Sequence, residues 1–162
     1  MKKYINLISL LLIIAISYFI YIRFNKKSEI PVFEYKTTDN STYSNNDIAN
    51  SEKKIVFIYF SCNCEDCKEL INNIPNYKIL QNNNQFILVT TEKKLAKIKE
   101  FVNLAELNKL KIPVLIDENN NFPSDFGLGI SIDLPKIIVF NKNKYLIKEL
   151  NSIEDIKNIR NN

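Results

Sequence analysis

Apolar and polar positions follow two different periods along this chain, and the switches between them outline its elements. Residues 55–60, Ile-Val-Phe-Ile-Tyr-Phe, are apolar on both faces, as in a central strand buried between two layers. Residues 85–90, 113–116 and 136–140 are shorter runs of the same kind. Cys64 opens a segment that predicts a helix ending before Pro75, with Glu65 and Asp66 in the first turn where the helix dipole favours them. Residues 92–107 carry Leu95, Ile98, Phe101, Val102 and Leu104 at near-helical spacing and predict one amphipathic helix. Asn141-Lys142-Asn143-Lys144 predicts a hairpin turn between residues 136–140 and 145–150. Residues 152–160 predict a closing helix, with Ser152 as N-cap and Ile153, Ile156 and Ile159 on one face. Upstream, residues 31–35 alternate like a short strand. Residues 37–53 are polar and turn-rich, with a single helical turn at Asn46-Asp47-Ile48, and residues 121–128 are irregular or briefly helical. Asn82-Asn83-Asn84 and Asn119-Asn120-Asn121 are expected to serve as turns.

The resulting order is β, β-α-β-α-β, then β-β-α. Strands that alternate with helices pair in parallel, and the closing hairpin adds an antiparallel edge. The chain therefore predicts one α/β domain, a central mixed sheet flanked by helices.

The apolar pattern at the front is of another kind. Residues 4–22 contain no charge, and as a helix they span roughly 28 Å, close to the ~30 Å of a bilayer's hydrocarbon. A cleaved signal peptide needs a shorter apolar core and small residues at the cut, whereas Ile-Ser-Tyr-Phe-Ile-Tyr-Ile-Arg follows Ala15. No cysteine follows closely enough for a lipoprotein anchor. The expectation is a membrane anchor and start of linker over residues 1–27, with one transmembrane helix at about 4–22, and a domain over residues 28–162. Lys2 and Lys3 precede the run and Arg23, Lys26 and Lys27 follow it, so the positive-inside bias nearly cancels. A short head is easily left in the cytoplasm while the domain is exported. This points to a single-pass protein of a bacterial cell membrane, its domain facing the periplasm or exterior.

Charge and composition then narrow the chemistry. The formal net charge is +4, yet residues 1–27 hold five basic and no acidic residues, leaving 17 basic against 18 acidic elsewhere. The basic balance belongs to the anchor, and a nucleic-acid partner loses its electrostatic support. There is no histidine, which excludes Ser-His-Asp and Cys-His catalysis and His-ligated zinc or haem. With only Gly127 and Gly129, no glycine-rich phosphate loop exists. No cofactor is implied, and the chemistry must come from thiols, carboxylates, Lys or Tyr.

Cys64-Glu65-Asp66-Cys67 lies at a strand-to-helix turn, and Leu134-Pro135 opens a later strand. Thiol–disulfide exchange needs one exposed thiol of lowered pKa and a second thiol one helical turn away. Cys64 fits the nucleophile and Cys67 the resolving thiol. A plain stabilising disulfide is the competing reading. Glu65 and Asp66 oppose a Cys64 thiolate and so tune the centre, although both also suit an ordinary first turn. Cys62 is an extra thiol. It could be inert, form an alternative disulfide, or join Cys64 and Cys67 in a Cu(I) or Zn(II) site, but the lack of histidine and of any methionine beyond Met1 speaks against a metal.

These motifs in this order resemble the thioredoxin superfamily, and most of all its membrane-anchored TlpA/ResA-like branch, which overlaps the redoxin/AhpC-TSA grouping. The resemblance covers about residues 31–160. Pro31-Val32-Phe33 resembles the branch's opening, residues 42–48 its second short strand and turn, KKIVFIYFSCNCEDCK its strand and active site, and residues 113–117 through Leu134-Pro135 and 136–140 its insertion and cis-proline strand. It implies a thioredoxin-like fold and an extracytoplasmic reductase of disulfides in secreted or membrane proteins. It also implies a membrane or periplasmic electron donor and a cis Pro135 that presents backbone at Leu134 and Pro135 to substrate. Without the resemblance, Pro135 reads equally as a trans proline starting an edge strand. The centre is expected to be moderately reducing, nearer thioredoxin than DsbA. Several positions depart from the branch. Asn63 stands where it has Trp, Ile58 where thioredoxin buries an acid, Pro75 is displaced, and Cys62 is additional. Two alternatives to the reductase are a redoxin-type peroxidase, whose Pro-x-x-x-Thr/Ser-x-x-Cys pattern does not occur around Cys64, and a non-catalytic binding or metal-delivery module.

Overall fold

The computed structural model describes residues 12, 14, 16–18, 28–49, 52–76, 78–129 and 131–152. The expected transmembrane helix lies outside the described residues except at Leu12, Ile14, Ile16, Ser17 and Tyr18, which are helical and exposed. Among the described residues no helix is long and apolar enough to cross a membrane. The expected closing helix lies outside them beyond Ser152.

Seven strands form one sheet: β1 (Glu34–Thr37), β2 (Thr42–Ser44), β3 (Lys54–Phe60), β4 (Asn84–Thr90), β5 (Val114–Ile116), β6 (Lys136–Phe140) and β7 (Leu146–Leu150), in the spatial order β2-β1-β5-β4-β3-β6-β7. β3 runs parallel to β4 from Lys54↔Asn84 to Phe60↔Thr90, and β4 runs parallel to β5. β6 returns antiparallel on the other side of β3, with Ile55 opposite Phe140 and Tyr59 opposite Lys136, and β7 adds the antiparallel edge. The mixed sheet agrees with the pattern of the sequence. At the far end of the sheet the chain's leading segment joins the hairpin: Glu29 bridges Tyr145, Ile30 N donates to Lys144 O at 2.9 Å and Leu146 N donates to Ser28 O at 2.7 Å.

The helices are α1 (Glu65–Asn73), α2 (Lys78–Asn83), α3 (Leu95–Phe101), α4 (Leu104–Lys109) and α5 (Phe122–Asp125). The single helix expected over residues 92–107 is two. Val102 is extended, at φ −124° and ψ 145°, and Asn103 caps α4 by accepting from Glu106 N at 3.3 Å. Phe101 at the end of α3 and Val102 in the break are both buried. The chain makes a 3-10 turn at Ile74–Asn76, with Pro75 at its centre, and then α2, which the run of asparagines concealed. Gln81 Nε2 donates to Ile74 O at 2.8 Å, and Lys53 Nζ donates to the Gln81 carbonyl at 3.0 Å, satisfying an acceptor near the helix end. The first strand begins at Glu34, later than expected. Pro31 O and Phe33 N are instead bonded by the Asn45 side chain, both at 2.8 Å.

Alternation along β3 divides the core. Val56, Ile58 and Phe60 pack with Cys67, Leu70 and Ile71 of α1 and Ile98 and Phe101 of α3. Ile55, Phe57 and Tyr59 face an aromatic layer instead. Phe57 meets Phe33, Phe122, Phe126 and Phe140 with ring centroids 5.6, 6.0, 4.9 and 5.9 Å away. On this face Asp117 accepts from Asn121 N at 2.9 Å and Phe122 N at 3.0 Å, and lies near Tyr59. These bonds fix the start of α5, and Tyr35 Oη donates to Asp125 at its end at 2.9 Å.

Candidate redox site

β3 delivers the chain to the end of the sheet where its neighbours diverge, parallel β4 on one side and antiparallel β6 on the other. Ser61 to Cys64 then form a β-turn. Cys64 N donates to Ser61 O at 3.2 Å, and Asn63 N donates to Ser61 Oγ at 3.2 Å. The turn leaves Cys64 extended, at φ −107° and ψ 111°, as the N-cap of α1. Its Sγ takes the place of the usual capping oxygen and accepts from Cys67 N at 3.1 Å.

Cys64 and Cys67 are joined as a disulfide, with Cα atoms 5.2 Å apart. Cys67 is fully buried and Cys64 half-buried, so only Cys64 is accessible to a large partner. Opposite them the Leu134–Pro135 peptide is cis, as the resemblance implies, and Leu134 O lies 3.7 Å from Cys64 Sγ. The pairing of Tyr59 with Lys136 brings that loop beside the active-site turn. Glu65 and Asp66 are exposed on the first turn of α1. The structure thus gathers Cys64, Cys67, Glu65, Asp66, Leu134 and Pro135 at one end of the sheet.

Cys62 is the free thiol of the site. It is half-buried and lies near Thr90, a fully buried residue at the end of β4. Burial pushes the Cys62 thiol above its ordinary range, against the effect of Thr90, and the nearby Glu92 and Lys97 act in opposite directions. At neutral pH it is therefore protonated and a weak nucleophile. Among the described residues no group of three or more His, Cys, Asp or Glu is arranged to hold a metal ion.

Sequence reasoning missed a polar chain next to this turn. Glu92 and Lys97 form an ion pair at 2.9 Å, and Lys97 Nζ donates to Asn63 Oδ1 at 3.0 Å. The Lys97 bond holds the Glu92 carboxyl below its usual range, and Glu92 in turn holds Lys97 above its own. Nothing in the local sequence signals this contact. Ile58, where thioredoxin carries an acid, is fully buried among apolar side chains.

The family described as Redoxin matches residues 25–161. The structure is similar to DsbF of Mycobacterium tuberculosis in its mixed oxidised and reduced forms, at 16% identity over 78% of this chain and 90% of that one, with a TM-score of 0.61. It is similar to a secreted disulfide oxidoreductase of the same organism, described as homologous to E. coli DsbE, at 12% identity over 74% and 83% of the two chains (TM-score 0.58). StoA from Bacillus subtilis aligns at 19% identity over 80% of this chain and 96% of that one (TM-score 0.56). No curated protein sequence matches the chain. Identities this low establish the fold, which is thioredoxin-like, and within it the Cys64–Cys67 disulfide fits a redox-active centre.

Proposed function

The chain belongs to the redoxin family, and on that premise we propose that it is an extracytoplasmic thiol–disulfide oxidoreductase, held to a bacterial cell membrane by residues 4–22. Its substrates are disulfides of secreted or membrane proteins, and a membrane or periplasmic donor returns its electrons. The observation that carries this reading is the setting of Cys64 Sγ, which accepts from Cys67 N at the start of α1 and faces Leu134 O across the cleft.

In the reduced protein the Cys64 thiolate attacks one sulfur of the substrate disulfide, and the other substrate sulfur leaves as a thiolate. Cys67 then attacks Cys64 Sγ and releases the second substrate sulfur. Two electrons have passed to the substrate, and the Cys64–Cys67 disulfide must be reduced again by the donor. The burial of Cys67 defers its attack until Cys64 has bonded the substrate. The backbone at Leu134 and Pro135 is placed to bond an extended substrate segment beside the reacting sulfur.

The direction of electron flow follows from magnitudes. A helix start favours a nearby anion by about 0.3–1 kcal/mol. At ~7 Å in water, Glu65 and Asp66 each oppose a Cys64 thiolate by about 0.6 kcal/mol. Together, at about 1.2 kcal/mol, they outweigh the dipole and leave mainly the Cys67 N–H bond to favour the thiolate. A thiolate so modestly stabilised belongs to a reducing centre.

The test is a redox titration of the full chain in detergent, together with insulin-disulfide reduction. A reversible two-electron couple near thioredoxin's ~−270 mV is expected. Turnover is expected to vanish in Cys64→Ser, and Cys67→Ser to accumulate the mixed disulfide. A couple above about −150 mV would recast the protein as a disulfide-forming enzyme. Peroxide consumption would make it a peroxidase, and the lack of any reversible couple would leave a binding module.

A further inference from the structure

The two central residues of the turn before Cys64 are each held from outside it. Cys62 is half-buried and packs against the core, and Asn63 Oδ1 accepts from Lys97 Nζ at 3.0 Å. Lys97 is itself anchored. Glu92 binds it at 2.9 Å, and this carboxylate side chain is only 16% exposed. Glu92 is fixed in turn, since its N–H donates to Thr90 Oγ1 at 3.2 Å and its Oε1 accepts from Lys94 N at 2.9 Å. The chain of contacts therefore runs from Thr90 through Glu92 and Lys97 to Asn63, the neighbour of Cys62.

We propose that Lys97 is a positioning residue for the disulfide exchange: by tethering Asn63 it directs Cys64 toward Leu134 and keeps the half-buried Cys62 out of the reaction. The inference rests on the thiol–disulfide reading of Cys64 and Cys67.

Three thiols within six residues can pair in three ways, and no external oxidant is needed to move between them. If the Cys62 thiolate attacks Cys64 Sγ, the Cys62–Cys64 bond forms as the Cys64–Cys67 bond breaks. Cys67 leaves as a thiolate and takes up the proton that Cys62 gave up. The charged groups that act on Cys62 are Glu92 and Lys97 after β4, and Glu65 and Asp66 lie on the first turn of α1. As a cation Lys97 favours the Cys62 thiolate, and as a tether it keeps that sulfur away from Cys64. Its side chain is 40% exposed, so solvent screens the charge effect and the tether dominates.

The experiment uses the full chain and its Lys97→Met, Lys97→Arg and Glu92→Gln variants. Each is oxidised in glutathione buffer, its free thiol is alkylated, and its disulfides are mapped by mass spectrometry. The alkylation rate of Cys62 and the potential of the pair are measured alongside. The wild type is expected to hold Cys64–Cys67 alone. Lys97→Met should gain Cys62-containing disulfides, alkylate Cys62 roughly two- to fivefold faster and shift the potential. Lys97→Arg should restore the wild-type pattern, and Glu92→Gln, which keeps the cation but frees it, should move with Lys97→Met. Unchanged pairing and rates in Lys97→Met, equal changes in Lys97→Arg, or scrambled pairing in the wild type would each overturn the proposal. Pairing and alkylation report on Lys97 even in a chain that fails to reduce insulin, so failure of the functional reading is seen separately.

Discussion

Asp117 is 1% exposed, and its two side-chain oxygens are served by Asn121 N and Phe122 N. An asparagine in its place would turn an NH2 group toward one of these donors. Asp117→Asn is expected to cost about 1–3 kcal/mol, read as a lower denaturation midpoint with an unchanged slope. In the sequence Asp117 marks only the end of a strand. Its burial depends on α5, which follows it, and on Tyr59, 58 positions earlier, so no local pattern reveals it. Cys64, Cys67 and Pro135 were legible for the opposite reason, since spacing and strand edges are local signals. The Lys97–Asn63 bond joins residues 34 positions apart and was not legible.

At the scale of elements, strands were read better than helices. A buried strand shows itself as a short apolar run, and β3, β4, β5 and β6 each lie on one. A helix boundary depends on a few capping bonds instead. The break between α3 and α4 turns on Asn103, whose side chain reaches Glu106 N. Leu104 continues the apolar spacing across the break, so the periodicity reads straight through it. Asn103→Ala is expected to destabilise the domain by about 1 kcal/mol, and hydrogen exchange should rise first in α4. A uniform rise across all helices would show that the cap is not what holds α4. α2 was missed through the converse error, since three asparagines in a row suggest a turn, yet two of them close a helix whose end Lys53 holds.

For the molecule as a whole, the aromatic face determines the response to alkali. Burial is the main cause that pushes Tyr43 and Tyr59 up to about 12, helped by Asp47 and Asp117 respectively. Burial and the Asp125 bond raise Tyr35 further. An unfolded chain ionises these phenols near pH 10. Between about pH 10 and 12 the unfolded state therefore loses protons that the folded state retains, and stability falls as pH rises. For Tyr43 and Tyr59 the contribution is complete below pH 10 and lost by about pH 12, while Tyr35 continues to lose it at higher pH. Denaturation midpoints should hold steady up to pH 9 and then drop, with tyrosinate absorbance appearing together with unfolding. Tyr59→Phe should flatten the drop, and an equally steep one would assign it to other groups. The sheet order behind this face was legible from the alternation of strands and helices. The aromatic filling was not, because it gathers rings from Phe33 to Phe140.

The bridge between Glu29 and Tyr145 fixes where the chain enters the domain. It lies beside the hairpin turn, at the end of β6 that pairs with the beginning of β3. Cys64 follows the other end of β3, seven residues away at ~3.3 Å per residue, or about 20 Å. Under the proposed anchoring, the membrane side and the reactive sulfur would lie at opposite poles of the domain, so that proteins arriving from the aqueous side would meet Cys64 first and a donor embedded in the bilayer would have to reach at least that far.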